Sequence, residues 1–116
     1  MQEHIYHITT HAAWQEATST GVYRDSSLDH DGFIHCSYPE QLARTANRYF
    51  AGQHDLLILC INRSQIGCDV VDEDLYGADQ RFPHVYGPIP VRAVFDVIPW
   101  SCNAHGSFSL PSRIRA

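Results

Sequence analysis

The sequence predicts an α+β fold, a single domain in which two helices pack on a mainly antiparallel sheet. Three observations carry this reading. Strand-type and helix-type patterns alternate twice and are then followed by several strands. The run Asp55-Leu56-Leu57-Ile58-Leu59-Cys60-Ile61 is too uniformly apolar to be half exposed, which marks it as the central strand. Finally, Asp31-Gly32-Phe33-Ile34-His35-Cys36-Ser37 joins a turn dipeptide to a short apolar strand, and Ser37 with Glu40 has the Ser-x-x-Glu spacing of a helix capping box. A strand therefore feeds straight into a helix. Such a junction collects unpaired N–H groups and the positive end of a helix dipole, so the helix start is expected to face an anionic ligand.

In chain order, Ile5 to Thr9 reads as the first strand. Thr10 caps a helix whose Ala13, Trp14 and Ala17 form an apolar stripe, and Gly21 stops it. Tyr23 to Leu28 is expected to be an extended connection, with a turn at Asp29 to Gly32. The second helix runs from about Pro39 to Ala51, with Leu42, Ala46, Tyr49 and Phe50 on one side. After the central strand, Cys68 to Glu73 is expected to pair with it, and Leu75 to Arg81 to form a polar loop. Pro83, Pro88 and Pro90 are close enough to argue against regular pairing around Phe82-Pro83-His84-Val85-Tyr86-Gly87-Pro88. That segment is expected to be a stiff loop able to hold side chains. Val91 to Ile98 is the last strong strand, and residues 102–116 are expected to form an irregular C-terminal tail.

At 116 residues the chain can bury one core, so residues 1–116 are expected to be one domain. Its 8 Lys plus Arg against 13 Asp plus Glu give a formal charge of -5. That balance lacks the electrostatic footprint of a nucleic-acid or anionic-membrane binder and favours a small molecule or another protein as partner, the small-molecule ligand being the one expected here. No apolar run approaches membrane-spanning length, so no membrane association is expected. Cys36, Cys60, Cys68 and Cys102 make no Cys-x-x-Cys pair and no secretory signal precedes them, which predicts reduced thiols and a cytoplasmic location.

Among the 8 histidines, His4, His7 and His11 would converge only on a helix. In a strand His4 and His7 face opposite ways, so no metal site is expected. A hydrolase built on Ser37 or Cys36 with His35 or His84 lacks a nucleophile elbow. A more economical reading gathers His7, His35, Ser37, Glu73, His84 and Tyr86 around one cleft. Imidazoles, a carboxylate and an aromatic face are what gripping a ribose and a flat ring requires.

Ile5-Tyr6-His7-Ile8, Trp14, Gly21-x-Tyr23, the Asp31 to Ser37 stretch, Phe50-x-Gly52, Asp55-Leu56, Glu73 and the Phe82 to Pro88 stretch together resemble a bacterial domain-of-unknown-function family, number nine-fifty-two. The resemblance spans about residues 4–98. It implies an ADP-ribosyltransferase-like fold, whose members cleave or bind NAD. There a His-x-Ser/Thr on the first strand holds the nicotinamide-side ribose, matched here by His7 and Thr9. A second-strand residue lining the nicotinamide pocket is matched by His35. A later-strand Glu polarises the ribose or acceptor hydroxyl, and Glu73 matches it, with His84 as the other occupant of that role. The chain lacks the Tyr-Glu-bearing insertion of the poly-ADP-ribosylating enzymes. The resemblance thus implies an NAD- or ADP-ribose-related transferase or glycohydrolase, with catalytic Glu73 and His84 and substrate-binding His7, Thr9, His35, Ser37 and Tyr86. NAD is its expected substrate. The alternative is a noncatalytic domain that binds a nucleotide or small metabolite in the same cleft.

Overall fold

Thr10 ends one element and begins the next. In the computed structural model, which describes residues 3–115, strand β1 (His4–Thr10) runs into helix α1 (His11–Thr20), and Thr10 Oγ1 accepts from the Ala13 N–H at 3.1 Å. The helix ends at Gly21, whose φ of 92° lies in the left-handed region that glycine enters without strain. After the short strand β2 (Val22–Tyr23), the polar stretch expected to be extended instead coils into helix α2 (Ser26–His30). Asp25 caps it, its carboxylate accepting from the Ser27 N–H at 3.0 Å. The described residues thus hold three α-helices rather than two. A five-residue helix is too short to leave a periodic pattern, and only its Asp cap signals it.

Strand β3 (Ile34–His35) leads to helix α3 (Pro39–Tyr49), which begins where the proline predicts but is not capped by Ser37. Tyr38 is the N-cap, and the Gln41 side chain reaches back to accept from its N–H at 2.9 Å. Ser37 is unavailable because its backbone exchanges two hydrogen bonds with Tyr6, at 2.7 and 2.9 Å. The helix buries Leu42 and Ala46 and stops at Phe50, shortly before the expected Ala51.

Strand β4 (Leu56–Asn62) is central, paired antiparallel with β1 on one side and β8 (Val94–Trp100) on the other. Leu56, Ile58 and Cys60 pack into a core with Tyr6, Leu42 and Trp100, while Leu59 and Ile61 point the other way to Tyr23, Ile34 and Val85. Burial on both faces explains the absence of alternation. Each such Leu or Ile contributes roughly 1.5–3 kcal/mol. Val91–Ala93 forms a 3₁₀ turn, so the last strand starts later than expected and continues through Pro99. An edge strand tolerates that proline. Residues 102–115 contain no helix or strand, yet Phe108 and Ile114 are buried in the Leu56 core. Asn47 clamps this segment, accepting from the Phe108 N–H at 2.6 Å and donating to its carbonyl at 3.1 Å.

The second sheet departs furthest from expectation. Strand β5 (Val70–Glu73) pairs not with β4 but with β6 (Phe82–Val85), which in turn pairs with β3, all antiparallel. The proline-rich segment is therefore the middle strand of a sheet rather than an unpaired loop. Pro83 fits because its carbonyl accepts from the Cys36 N–H at 3.1 Å. Its missing N–H faces the same neighbour and costs one bond at the end of that ladder, the next residue, Ser37, pairing with Tyr6 instead. Ile89–Pro90 forms β7, paired with β2. The Tyr6–Ser37 bridge joins the two larger sheets.

Candidate functional site

Side-chain alternation makes the site. His35 on β3 lies directly opposite His84 on β6, and Phe82 lies opposite Glu73 on β5. Directly opposed residues share a face, so His35, Phe82, His84 and Glu73 project from one side of the second sheet, together with Phe33 and Tyr86 at the next alternate positions. Ile34, Cys36 and Val85 project from the other side into the core. A one-residue slip would exchange these sets, and burial of Ile34 and Val85 at 0% exposure forbids it.

Where this face meets β1 at the Tyr6–Ser37 bridge, a cavity of about 380 Å³ opens. His7, His35, Ser37 and His84 line it as expected, with Asp25, Thr45, Tyr49, Phe50, Tyr76 and Phe82. Four predicted residues from three different strands and a strand–helix junction are thereby brought together. Glu73, Tyr86 and Thr9 do not line the cavity and stand behind those that do. The start of α3 does not face it either. That helix presents its flank and C-terminal end, through Thr45, Tyr49 and Phe50, and its Tyr38 N–H is already used by Gln41. The expected anion seat at the helix start is not built, and no arginine is among the lining residues.

His84 is 2% exposed. Its Nδ1–H donates to Glu73 Oε1 at 2.9 Å, and the same carboxylate oxygen accepts a short hydrogen bond from the Tyr86 hydroxyl. Phe33 stacks on the imidazole with ring centroids 4.0 Å apart, fixing its plane. Nε2 has no hydrogen-bond partner among the described residues and belongs to a ring that lines the cavity. Burial pushes the His84 pKa below its usual value against the upward pull of Glu73, and nearby His35 pushes it further down. Tyr86 and His84 hold the Glu73 carboxyl below its usual range. At neutral pH this pair is therefore a carboxylate and a neutral imidazole with its Nε2 lone pair free to accept a proton.

His7 is used differently. Its Nδ1–H donates to the His35 carbonyl at 2.6 Å, and Nε2 lies 2.8 Å from the Tyr23 hydroxyl. Both ring nitrogens are engaged, so His7 ties β1 to β3 and offers a ligand only its C–H edge. Tyr23 is the hub of this cluster, with Thr9 Oγ1 at 2.9 Å and Asp25 Oδ1 at 3.2 Å. Burial pushes the Tyr23 phenol well above its usual pKa, whereas His7 and the Ser27 groups hold Asp25 well below the carboxylate range. His35 donates from Nε2 to Asp31 at 2.9 Å and lies face to face with Tyr76 at 6.1 Å. Cys36 also lines the cavity, but burial pushes its thiol pKa up, which disfavours the nucleophilic thiolate.

Tyr23, Asp25, Asp31, Thr45 and Tyr76 are site residues that sequence reasoning missed. Asp25, as a helix cap, was detectable in principle from Asp-Ser-Ser. Tyr76 sits in a loop without pattern, and nothing local marks Tyr23 as a hub. Among the described residues, no group of three or more His, Cys, Asp or Glu side chains is arranged to hold a metal. All four cysteines are unpaired. No helix of the described residues is long and apolar enough to cross a membrane.

Fold and site together define an α+β domain with a small-molecule-sized pocket at the seam of two antiparallel sheets. The chain belongs to the family described as protein of unknown function DUF952, whose profile matches residues 8–97. The X-ray crystal structure of protein CC0527 from Caulobacter crescentus is similar at 34% identity with a TM-score of 0.83, covering 92% of this chain and 94% of that one. The solution NMR structure of CC0527 has a TM-score of 0.82 at 33% identity over 97% of each chain. No curated protein matches.

Proposed function

We propose that the pocket takes the ring-and-ribose end of NAD or an ADP-ribose-related nucleotide, and that the chain acts on it as a transferase or glycohydrolase with His84 as general base. The carrying observation is the Glu73-held His84, whose ring lines a cavity large enough for a ring and a sugar and whose Nε2 has no partner among the described residues. In the reaction, Nε2 removes the proton of the attacking hydroxyl, which belongs to water in hydrolysis and to an acceptor alcohol in transfer. The oxygen bonds to the anomeric carbon as the N-glycosidic bond breaks, and its electron pair leaves with nicotinamide. Glu73 stabilises the imidazolium so formed. Ser37, which lines the cavity, would meet a ribose hydroxyl, and Phe82 and Tyr76 offer flat faces. The ADP-ribosyltransferase-like grouping implied by the sequence motifs supports the choice of NAD. The lack of an arginine in the lining supports entry of the phosphate-free nicotinamide-ribose end first, with the phosphates outside. There Arg48 packs its guanidinium 5.4 Å from the Tyr49 ring centroid.

One observation favours a noncatalytic second reading. Glu73 stands behind His84 and not in the cavity, so it does not face the anomeric carbon itself. Incubating the protein with NAD and separating products by chromatography distinguishes the two. Nicotinamide release that disappears in His84→Ala supports catalysis. A ligand-induced rise in melting temperature without release supports binding alone, and neither effect with NAD, ADP-ribose or nicotinamide overturns both.

A further inference from the structure

Each imidazole around the cavity is backed by its own carboxylate. His35 bonds Asp31 at 2.9 Å, His84 bonds Glu73 at 2.9 Å, and His7 Nε2 lies 3.7 Å from Asp25 with Tyr23 between them. Three carboxylates thus surround the pocket, and no arginine lines it. Because burial keeps His84 neutral near pH 7, protonating both His7 and His35 would still leave the set net negative. The rest of the wall includes the aromatic rings of Tyr76 and Phe82, the Tyr49 ring with the Arg48 guanidinium over it, and the imidazole of His84, whose Nε2 has no partner among the described residues. Aromatic faces inside a ring of negative charge attract a positive ligand through both the quadrupoles of the rings and the net field.

From these side chains we infer that the pocket is selective for an organic cation, such as a flat N-alkylated pyridinium, over its neutral isostere. The inference rests on the assignment of this cavity as the ligand site and narrows the proposed function. It assigns the pocket to the oxidised, positively charged nicotinamide ring and makes the neutral ring left after cleavage a weak binder. Product release then follows from loss of the charge.

The test compares 1-methylnicotinamide, a cation, with neutral nicotinamide by isothermal titration, on the native chain and on Asp31→Asn. Asp31 is exposed, so the variant leaves the core untouched. The expected result is at least tenfold tighter binding of the cation by the native chain, with that preference reduced in Asp31→Asn. Equal affinity for the two probes, binding of neither at millimolar concentration, or a preference untouched by Asp31→Asn overturns the inference. If the cation binds selectively but NAD yields no nicotinamide, the catalytic reading fails while the charge selectivity stands.

Discussion

Glu73 Oε1 lies 2.9 Å from His84 Nδ1 across two neighbouring strands, and this contact fixes which nitrogen of the imidazole carries the proton. The Tyr86 hydroxyl bonds the same oxygen, so the carboxylate is itself held in place. Replacing Glu73 with Gln removes the main influence that raises the His84 pKa, leaving burial and His35 to lower it. The His84 ring signals in an NMR titration are expected to titrate at lower pH in Glu73→Gln. An unchanged or higher midpoint would mean that Glu73 does not control the imidazole.

Tyr23 is fully buried, and its hydroxyl serves His7, Thr9 and Asp25 together. Tyr23→Phe keeps the ring but leaves these groups without their shared partner. Urea denaturation is expected to show a loss of about 1–3 kcal/mol, the cost of unsatisfied buried polar groups. A loss below a few tenths would show that the cluster rearranges around the missing hydroxyl.

Phe108 lies in a segment without regular structure, yet it is 5% exposed and its ring centroid is 4.7 Å from that of Trp100. Phe108→Ala is expected to cost about 3–5 kcal/mol, as for a core aromatic. A surface-like cost in the same urea experiment would show that the segment is not part of the core.

Much of the fold was legible wherever burial imposes a simple pattern. Leu56 to Ile61 is apolar throughout because both its faces are covered, and Pro39 and Gly21 mark helix ends by backbone geometry alone. Phe82 to Val85 was misread because the proline count outweighed its alternation. Whether Pro83 breaks a ladder depends on where the neighbouring strand ends, which is a tertiary fact. Partner choice for Val70 to Glu73 has the same origin. Of the candidate site, His7, His35, Ser37 and His84 do share a cavity. Their division of labour was not legible, since the engagement of both His7 nitrogens and the position of Glu73 behind His84 depend on contacts between residues far apart in sequence.

Acid should destabilise the protein in two steps. Asp25, Asp72 and Glu73 have folded-state pKa values below their usual ones, as does His84. A depressed carboxyl contributes stability above its unfolded pKa of about 4 and loses it as pH falls further. A depressed histidine favours the neutral native form, so its contribution is present above about pH 6.5 and is lost as pH falls below it. The signs agree. The urea midpoint is expected to decline from pH 7 to 5 and more steeply below 4, and a midpoint that rises on acidification from pH 7 to 5 would contradict the burial of neutral His84.

The central claim is that His84 acts on a ligand in this cavity, and thermal shift with NAD on the native chain, His35→Ala and His84→Ala, with nicotinamide release measured on the same samples, tests it most directly. Ligand at about 100 times its dissociation constant stabilises the native chain by about 2.7 kcal/mol. The account predicts that both variants fold, that His35→Ala loses most of the thermal shift, and that His84→Ala lowers nicotinamide release by about 10²–10⁴-fold, the usual worth of a general base. A folded His84→Ala protein that releases nicotinamide at the native rate would contradict it.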